Sequence, residues 1–213
     1  MYISDVMTTK VVTVSSSTSL ADARRIMDTH NIRRLPVVDK GKLVGIVTRA
    51  GHDRAGPANV TSLNIHEIIH LLSKITVKEI MVKDLVTVSP DATVEEAVAL
   101  AQEKKVGSLL VVDEGRLVGM ATTNDFFYKI LNPILGIGKP GSRIVIRDVN
   151  GPSDVERVVA AINKLGLEVF TMFMLPIPDK NREDFVVHLS SEDPTNLIAE
   201  LQLLGFTVER RAR

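Results

Sequence analysis

The 213-residue chain has no cysteine. Disulfides, thiol nucleophiles and cysteine-based zinc sites are thereby excluded, and the composition fits a reducing, cytoplasmic setting. Charge of either sign is not in excess, since 26 Lys+Arg stand against 26 Asp+Glu. A protein whose main work is gripping a nucleic-acid backbone is usually basic, so nucleic acid is not expected as a partner. Long apolar runs are also missing. The sequence opens Met1-Tyr2-Ile3-Ser4-Asp5, with no basic stretch leading into a hydrophobic one, and nowhere holds the roughly 20 apolar residues of a membrane span. A cytoplasmic protein is expected. What remains, 45% apolar and 24% charged content, is that of a soluble globular protein long enough for one large or two small domains.

What is present is a repeat. Val111-Val112-Asp113-Glu114-Gly115-Arg116-Leu117-Val118-Gly119-Met120-Ala121-Thr122-Thr123-Asn124-Asp125 has an earlier counterpart in Val37-Val38-Asp39-Lys40-Gly41-Lys42-Leu43-Val44-Gly45-Ile46-Val47-Thr48-Arg49-Ala50-Gly51. The match runs without a gap over 7–51 against 81–125, with about a third of the positions identical. Two copies predict a pseudo-symmetric pair, because a solenoid needs about three or more units. Each copy reads as a short strand (11–14; 85–88) and a helix with an apolar stripe, Leu20, Ala23, Ile26 and Met27 or Val94, Ala97, Val98 and Ala101. A buried strand, a tight Asp-x-Gly turn, a second strand and a helix start follow. The unit is β-α-β-β-α, and neither unit alone covers both faces of its sheet. Thr122-Thr123-Asn124-Asp125 has the spacing of a capping box, with Thr122 at N-cap and Asp125 at N3. It sets a hydroxyl, a carboxylate and unpaired helix N–H groups at one strand end, a corner expected to bind phosphate. The first copy keeps Thr48 but has Gly51 in place of the carboxylate.

Between the copies, 52–59 is predicted as a polar loop and about 63–74 as a joining helix. A last helix follows Asp125 until Pro133, and Gly136-Ile137-Gly138-Lys139-Pro140-Gly141 reads as a linker. Beyond it come a strand over 143–148 and a helix capped by Ser153 with Glu156 at N3, stopped by Gly166. A strand over 167–175, ended by Pro176 and Pro178, is followed by a polar turn at 179–183 and a strand over 185–189. A helix from Pro194 to Gly205 and a strand over 206–210 close the order β-α-β-β-α-β, which is ferredoxin-like. The chain is therefore read as α+β, with a pseudo-symmetric pair of β-α-β-β-α units at 1–75 and 76–135, a linker at 136–142 and a ferredoxin-like β-α-β-β-α-β domain at 143–213.

Asn31-Ile32-Arg33-Arg34-Leu35-Pro36-Val37-Val38-Asp39 and Gly119-Met120-Ala121-Thr122-Thr123-Asn124-Asp125 make roughly residues 1–132 resemble a tandem of CBS domains. The C-terminal part resembles an ACT domain by its element order. The whole, including Ser62-Leu63-Asn64-Ile65-His66-Glu67 and Leu71-Leu72-Ser73-Lys74-Ile75-Thr76-Val77-Lys78, resembles the bacterial acetoin-utilisation B-type proteins. The resemblance implies a regulatory protein without chemistry of its own. It would sense AMP, ADP, ATP or S-adenosylmethionine in the cleft between the CBS units, with a link to acetoin or related carbon metabolism. It also implies that Thr122 contacts phosphate, that Asp125 holds the ribose diol, and that Arg33 and Arg34 meet phosphates, with Thr48 as the first copy's counterpart of Thr122. Charge-assisted bonds make a carboxylate a strong reader of two ribose hydroxyls. Adenine is expected between apolar strand residues around Val12 or Val86. Arg33 and Arg34 are adjacent and so point to opposite faces, and one of them is expected to reach the ligand directly. The partners implied are the nucleotide, a second copy in a homodimer formed through the CBS pairs with the ACT-like domains as a further contact, and a regulated protein that the sequence does not name. No catalytic cofactor and no membrane is implied.

Two rival readings use other residues. ACT domains often bind amino acids at the first strand-to-helix loop, here Asp148-Val149-Asn150-Gly151-Pro152, which would leave the CBS pair as scaffold. This chain has Gly-Pro where those domains use Pro-Gly, so a loop that positions a helix is the expectation. His66-Glu67-Ile68-Ile69-His70 satisfies the zinc-peptidase pattern, with both histidines on one helical face. A catalytic zinc needs a third ligand, and neither Gly-x-x-His nor a well-spaced downstream glutamate follows. A zinc hydrolase is thus the more distant alternative, and no metal site or catalytic residue is expected. Arg210, Arg211 and Arg213 form a small basic tail expected to be solvated.

Overall fold

The computed structural model describes residues 1–55, 72–178 and 182–211. Two compact units make up the chain, Met1–Phe126 and Phe127–Arg213. The histidine motif at 66–70 and most of the predicted joining helix lie outside the described residues; the end of that helix, residues 72–74, is helical.

In the first unit each copy builds the same hairpin. β1 (Arg34–Asp39) pairs antiparallel with β2 (Lys42–Thr48), Asp39 standing opposite Lys42. After the two-residue β3 (Thr87–Val88), β4 (Ser108–Asp113) and β5 (Arg116–Thr122) repeat the arrangement with Asp113 opposite Arg116. The turn chemistry accounts for the fit. Lys40 and Gly41 have φ of 51° and 78°, and Glu114 and Gly115 have 45° and 78°, the left-handed pair whose twist matches the flanking strands and which glycine adopts freely. Leu35, Pro36 and Val37 are all buried, as are Leu109, Leu110 and Val111. These strands are covered on both faces, which is why they read as unbroken apolar runs rather than alternating ones.

The predicted stripes are the buried faces of the helices Leu20–Thr29 and Val94–Glu103, where Leu20, Ala23, Met27 and Ala97 are fully covered. Ser19 caps the first helix by accepting the Asp22 N–H at 3.1 Å. Thr93 and Glu96 cap the second reciprocally, each accepting the other's N–H at 3.2 and 2.9 Å. The first strand of each copy is shorter than predicted. Only Val14 pairs in copy one, with β1, through the Val14 N–H to Pro36 and the Val38 N–H to Val14. In copy two the strand itself is confined to Thr87 and Val88. The predicted polar loop over 52–59 differs in its described part, because Arg49–Ala55 is helical and buries His52, whose Nε2 bonds to the Leu20 carbonyl at 3.1 Å.

The two copies are interleaved. Tyr2 and Thr8 bridge to Thr93 and Met120 of copy two, while the equivalent Thr76 and Val82 bridge to Ser19 and Ile46 of copy one. The Ile3 N–H bonds to the Ala92 carbonyl at 2.9 Å and the Val77 N–H to that of Thr18 at 2.8 Å. Ile3 and Val77 are both fully buried. Each leading segment thus closes the other copy's core, and Thr8 is carried to the side of β5.

In the second unit β6 (Ser142–Arg147), β7 (Val169–Ile177), β8 (Arg182–Leu189) and β9 (Thr207–Arg211) form an antiparallel sheet in the order β7-β8-β6-β9. The helices Pro152–Lys164 and Thr195–Leu203 pack on one face, burying Val158, Ile162, Leu197 and Leu201 against Ile144, Ile146, Val187 and Leu189. This is the β-α-β-β-α-β order with the strand neighbours of the split arrangement. Several boundaries differ from expectation, β8 for instance starting at Arg182 rather than 185, and two have a clear physical reason. The first helix starts at Pro152, whose fixed φ suits the first helical position, and Asp154 rather than Ser153 reaches back, accepting the Asn150 N–H at 2.8 Å. β7 continues through Pro176, opposite Glu183, because it is an edge strand and a missing N–H there leaves no ladder bond unmade.

Candidate functional site

β5 ends at Thr122, and the helix Thr123–Phe126 starts at once. The expected capping box is formed. Asp125 Oδ2 accepts the Thr122 N–H at 2.9 Å and the Thr122 hydroxyl at 2.6 Å, and the Asp125 N–H reaches Thr122 Oγ1 at 3.4 Å. The Thr123 N–H is held by the Gly107 carbonyl at 3.3 Å. The corner therefore differs from the expected cluster of unpaired backbone donors: the N–H groups of Thr122, Thr123 and Asp125 are engaged internally, and the helix is only four residues long. Its polar offer is instead made by side chains. Asp125 is 9% exposed, and its Oδ1 accepts the Thr8 hydroxyl at 3.4 Å.

In front of this corner lies a cleft of about 680 Å³ built from both copies. Copy one supplies the strip from Thr8 through Lys10 to Val12 and the segment 31–34, and copy two supplies Gly107, Met120 and the corner itself. Five of the residues singled out in the sequence meet here, Val12, Arg33, Arg34, Thr122 and Asp125. Both arginines line the cleft; Arg33 is exposed and Arg34 half-buried. Thr48 and Val86 are not on its lining. They hold the matching positions of the opposite copies, where Thr48 Oγ1 accepts the Gly51 N–H at 3.0 Å and the Val86 carbonyl accepts the Leu110 N–H at 3.2 Å.

The electrostatics of the cleft are lopsided. Lys10, Arg33 and Arg34 face a single lining carboxylate, Asp125. Burial pushes the Arg34 guanidinium below its ordinary value, and the like charge of Arg33 pushes the same way. A guanidinium still keeps its proton at neutral pH, so the cost of holding it there is relieved by an anion. Gly107 makes the room for it, since a Cβ at that position would stand 2.7 Å from Arg34 Nη2.

Thr8, Lys10 and Gly107 were not indicated by motif, although the copies differ at three positions that line the cleft. Aligned copy on copy, Lys10 falls on Asp84, Arg33 on Gly107 and Asp125 on Gly51. Each of these pairs differs in charge and brings a residue to the cleft, whereas other pairs that differ, such as Lys40 and Glu114, do not line it. Among the described residues no group of three or more His, Cys, Asp or Glu side chains could hold a metal ion, and no helix is long and apolar enough to cross a membrane.

Comparison with known proteins gives the following likenesses. The CBS domain family matches residues 3–50 and 77–132. The CBS domain-containing protein YhcV of Bacillus subtilis is 31% identical over 58% of this chain and 81% of its own length. An inosine-5′-monophosphate dehydrogenase of Korarchaeum cryptofilum is 37% identical over 69% of this chain but 28% of the enzyme, and the chain spans under a third of the dehydrogenases it matches. Among solved structures, a Vibrio cholerae protein named for acetoin utilization (AcuB) aligns with a TM-score of 0.53 at 29% identity, over 66% of this chain and 98% of its own. The CBS domain pair of protein MJ0100 in complex with 5′-methylthioadenosine and S-adenosyl-L-methionine aligns at 0.51 and 28%, over 62% and 97%. CBSX2 in complex with AMP also aligns at 0.51 and 28%, over 62% and 96%.

Proposed function

The chain belongs to the family of CBS-domain proteins, and from that premise we propose that its interleaved pair is a sensor for an adenosine nucleotide, bound in the cleft between the copies. The observation that carries this reading is the meeting, in one cleft, of the Thr122–Asp125 corner with three cations drawn from the other copy. Asp125 Oδ1 is placed to accept ribose hydroxyls, and the lining of Val11, Val12, Ile32 and Met120 suits a planar base. Solved relatives support the ligand class, with AMP bound to one and S-adenosyl-L-methionine to another.

Charge narrows the choice. Three cations against one carboxylate favour AMP, ADP or ATP over S-adenosylmethionine, whose sulfonium would add positive charge to a cleft already rich in it. The protein acts without chemistry of its own, as a homodimer in the cytoplasm, and its second unit serves as an ACT-like domain joined to the sensor. Likeness to the Vibrio cholerae protein supports acetoin or related carbon metabolism as the process it reports to. A switch of this kind requires the nucleotide to bind one arrangement of the protein better than another.

Calorimetric titration of the full chain with AMP, ADP, ATP and S-adenosylmethionine, alongside Asp125→Ala, tests the reading. The expected result is saturable binding that strengthens with phosphate number, is weakest for S-adenosylmethionine and falls at least about tenfold in the variant. If none of the four compounds binds, the cleft is not a nucleotide site. The search then moves to amino acids and the loop around Asn150.

A further inference from the structure

The second unit holds a cavity of its own, independent of the nucleotide reading. The side chains of β6 and β8 that pack under the helices are Ile144, Ile146, Phe185, Val187 and Leu189. Their neighbours in sequence therefore point to the other face of the sheet. There Phe173, Val186 and Val145 form one cross-strand row, with Arg143 opposite Arg211 in the row beside it. Val145 and Val186 are 1% and 4% exposed although no helix of the sheet's packed layer covers them. Leu135, from the segment ahead of β6, shares in the cover and accepts an N–H from Arg143.

Between them is a space of about 150 Å³ lined by Leu135, Val145, Phe173, Leu175 and Val186, with Arg143 and Arg211 as its polar groups. Apolar cavities of about that volume hold a benzene-sized molecule. Two guanidinium groups stand at the cavity and no carboxylate is among its lining residues. The Arg143 Nε–H is buried with no hydrogen-bond partner among the described residues. Arg211 pairs at 3.9 Å with Asp184, a carboxylate 1% exposed, which leaves its hydrogen-bonding fork open to a closer acceptor.

An apolar wall beside two forked donors is the reverse image of a small organic acid. We propose that this cavity binds a monocarboxylate with a short branched or aromatic hydrocarbon tail, the carboxylate on Arg143 and Arg211 and the tail on Val145, Phe173 and Val186. An α-amino acid fits less well. Its ammonium would meet two guanidinium groups of like charge, and the carboxylates on the same face, Asp184 and Glu209, are already paired with Arg211 and Arg147. The favoured class is therefore a 2-oxo acid or a simple branched acid.

The chain contains no tryptophan, so Phe173→Trp places a single tryptophan, excited selectively over Tyr2 and Tyr128, on the cavity wall of the otherwise intact protein. This variant is titrated with 4-methyl-2-oxopentanoate, 3-methylbutanoate, L-leucine and acetate. Calorimetry on the unsubstituted protein with the same four compounds guards against the larger ring filling the space. The expected result is saturation with the two branched acids and binding at least about tenfold weaker for L-leucine and acetate. Arg211→Gln should weaken the branched acids on the order of 10- to 100-fold, with a single cooperative thermal transition, at a midpoint above the titration temperature, showing that the fold is intact. Absence of saturation in both measurements overturns the proposal. L-leucine binding as tightly as its oxo acid overturns the ligand class, and full affinity in Arg211→Gln overturns the placement of the carboxylate. None of these readouts involves the first unit's cleft, so they succeed or fail independently of nucleotide binding.

Discussion

At Asp125 one carboxylate serves the fold and the site together. Oδ2 is committed to the Thr122 N–H and hydroxyl, while Oδ1 looks toward Thr8. Thr122→Val keeps the side chain's shape and deletes the 2.6 Å bond, leaving a nearly buried carboxylate short of a donor. The expected cost is about 1–3 kcal/mol, read as a lower urea midpoint with an unchanged slope; an unaltered midpoint would mean that water replaces the hydroxyl without loss. Gly107 separates stability from binding in the opposite sense. An alanine Cβ there meets the far end of a flexible arginine rather than backbone, so Gly107→Ala should leave stability within about 0.5 kcal/mol. It displaces the Arg34 guanidinium, and calorimetry should show ATP affinity falling several-fold. A large loss of stability with full ATP affinity would assign Gly107 to the backbone rather than to the cleft. Thr122 and Asp125 were legible in the sequence because three residues separate them and a local motif joins them. Lys10 and Gly107 were not, since only the folded chain brings them to that corner.

At the scale of the element, helix starts contribute to the pH dependence. The backbone N–H of Thr93, and then its hydroxyl, hold the Glu96 carboxyl below its ordinary value of 4.5, and Thr76 does the same for Glu79. A carboxyl whose folded pKa is depressed contributes stability above its unfolded pKa, here about 4.5, and loses it as pH falls through the lowered folded value. Glu96→Gln should therefore flatten the acid side of the stability profile below about pH 4.5. Urea midpoints measured from neutrality down through this range check the point, and an acid slope identical to that of the unsubstituted protein would exclude the box as its source. Helices with an apolar stripe were read well, because burial of that stripe is what forms them. Ends were read less well. Pro152 started its helix one residue before the expected cap, and Pro176 failed to stop β7 because edge position, a property of the sheet and not of the residue, decides whether a missing N–H matters.

For the molecule as a whole, the interleaving of the copies decides how the first unit comes apart. The repeat itself was plain in the sequence, but the aligned residues could not say which hairpin each leading segment would join. Met1–Phe126 forms one compact unit, and its copies each lend the other a buried residue, Ile3 to one and Val77 to the other. Ile3→Ala should cost about 2–5 kcal/mol. If the leading segments were mere attachments, that loss would appear only in the hairpin of copy two, which receives Ile3. Exchange of segments predicts otherwise. Opening copy two frees Val82 and Thr76, whose bridges to Ile46 and Ser19 close copy one, so both hairpins lose protection together. Native-state amide exchange on Ile3→Ala should show β1–β2 and β4–β5 falling to a common opening free energy, while β6 and β8 of the second unit keep theirs. Selective loss in β4–β5 would mean that the leading segments are attachments rather than shared parts. The pair would then transmit nucleotide binding from one copy to the other through the cleft alone.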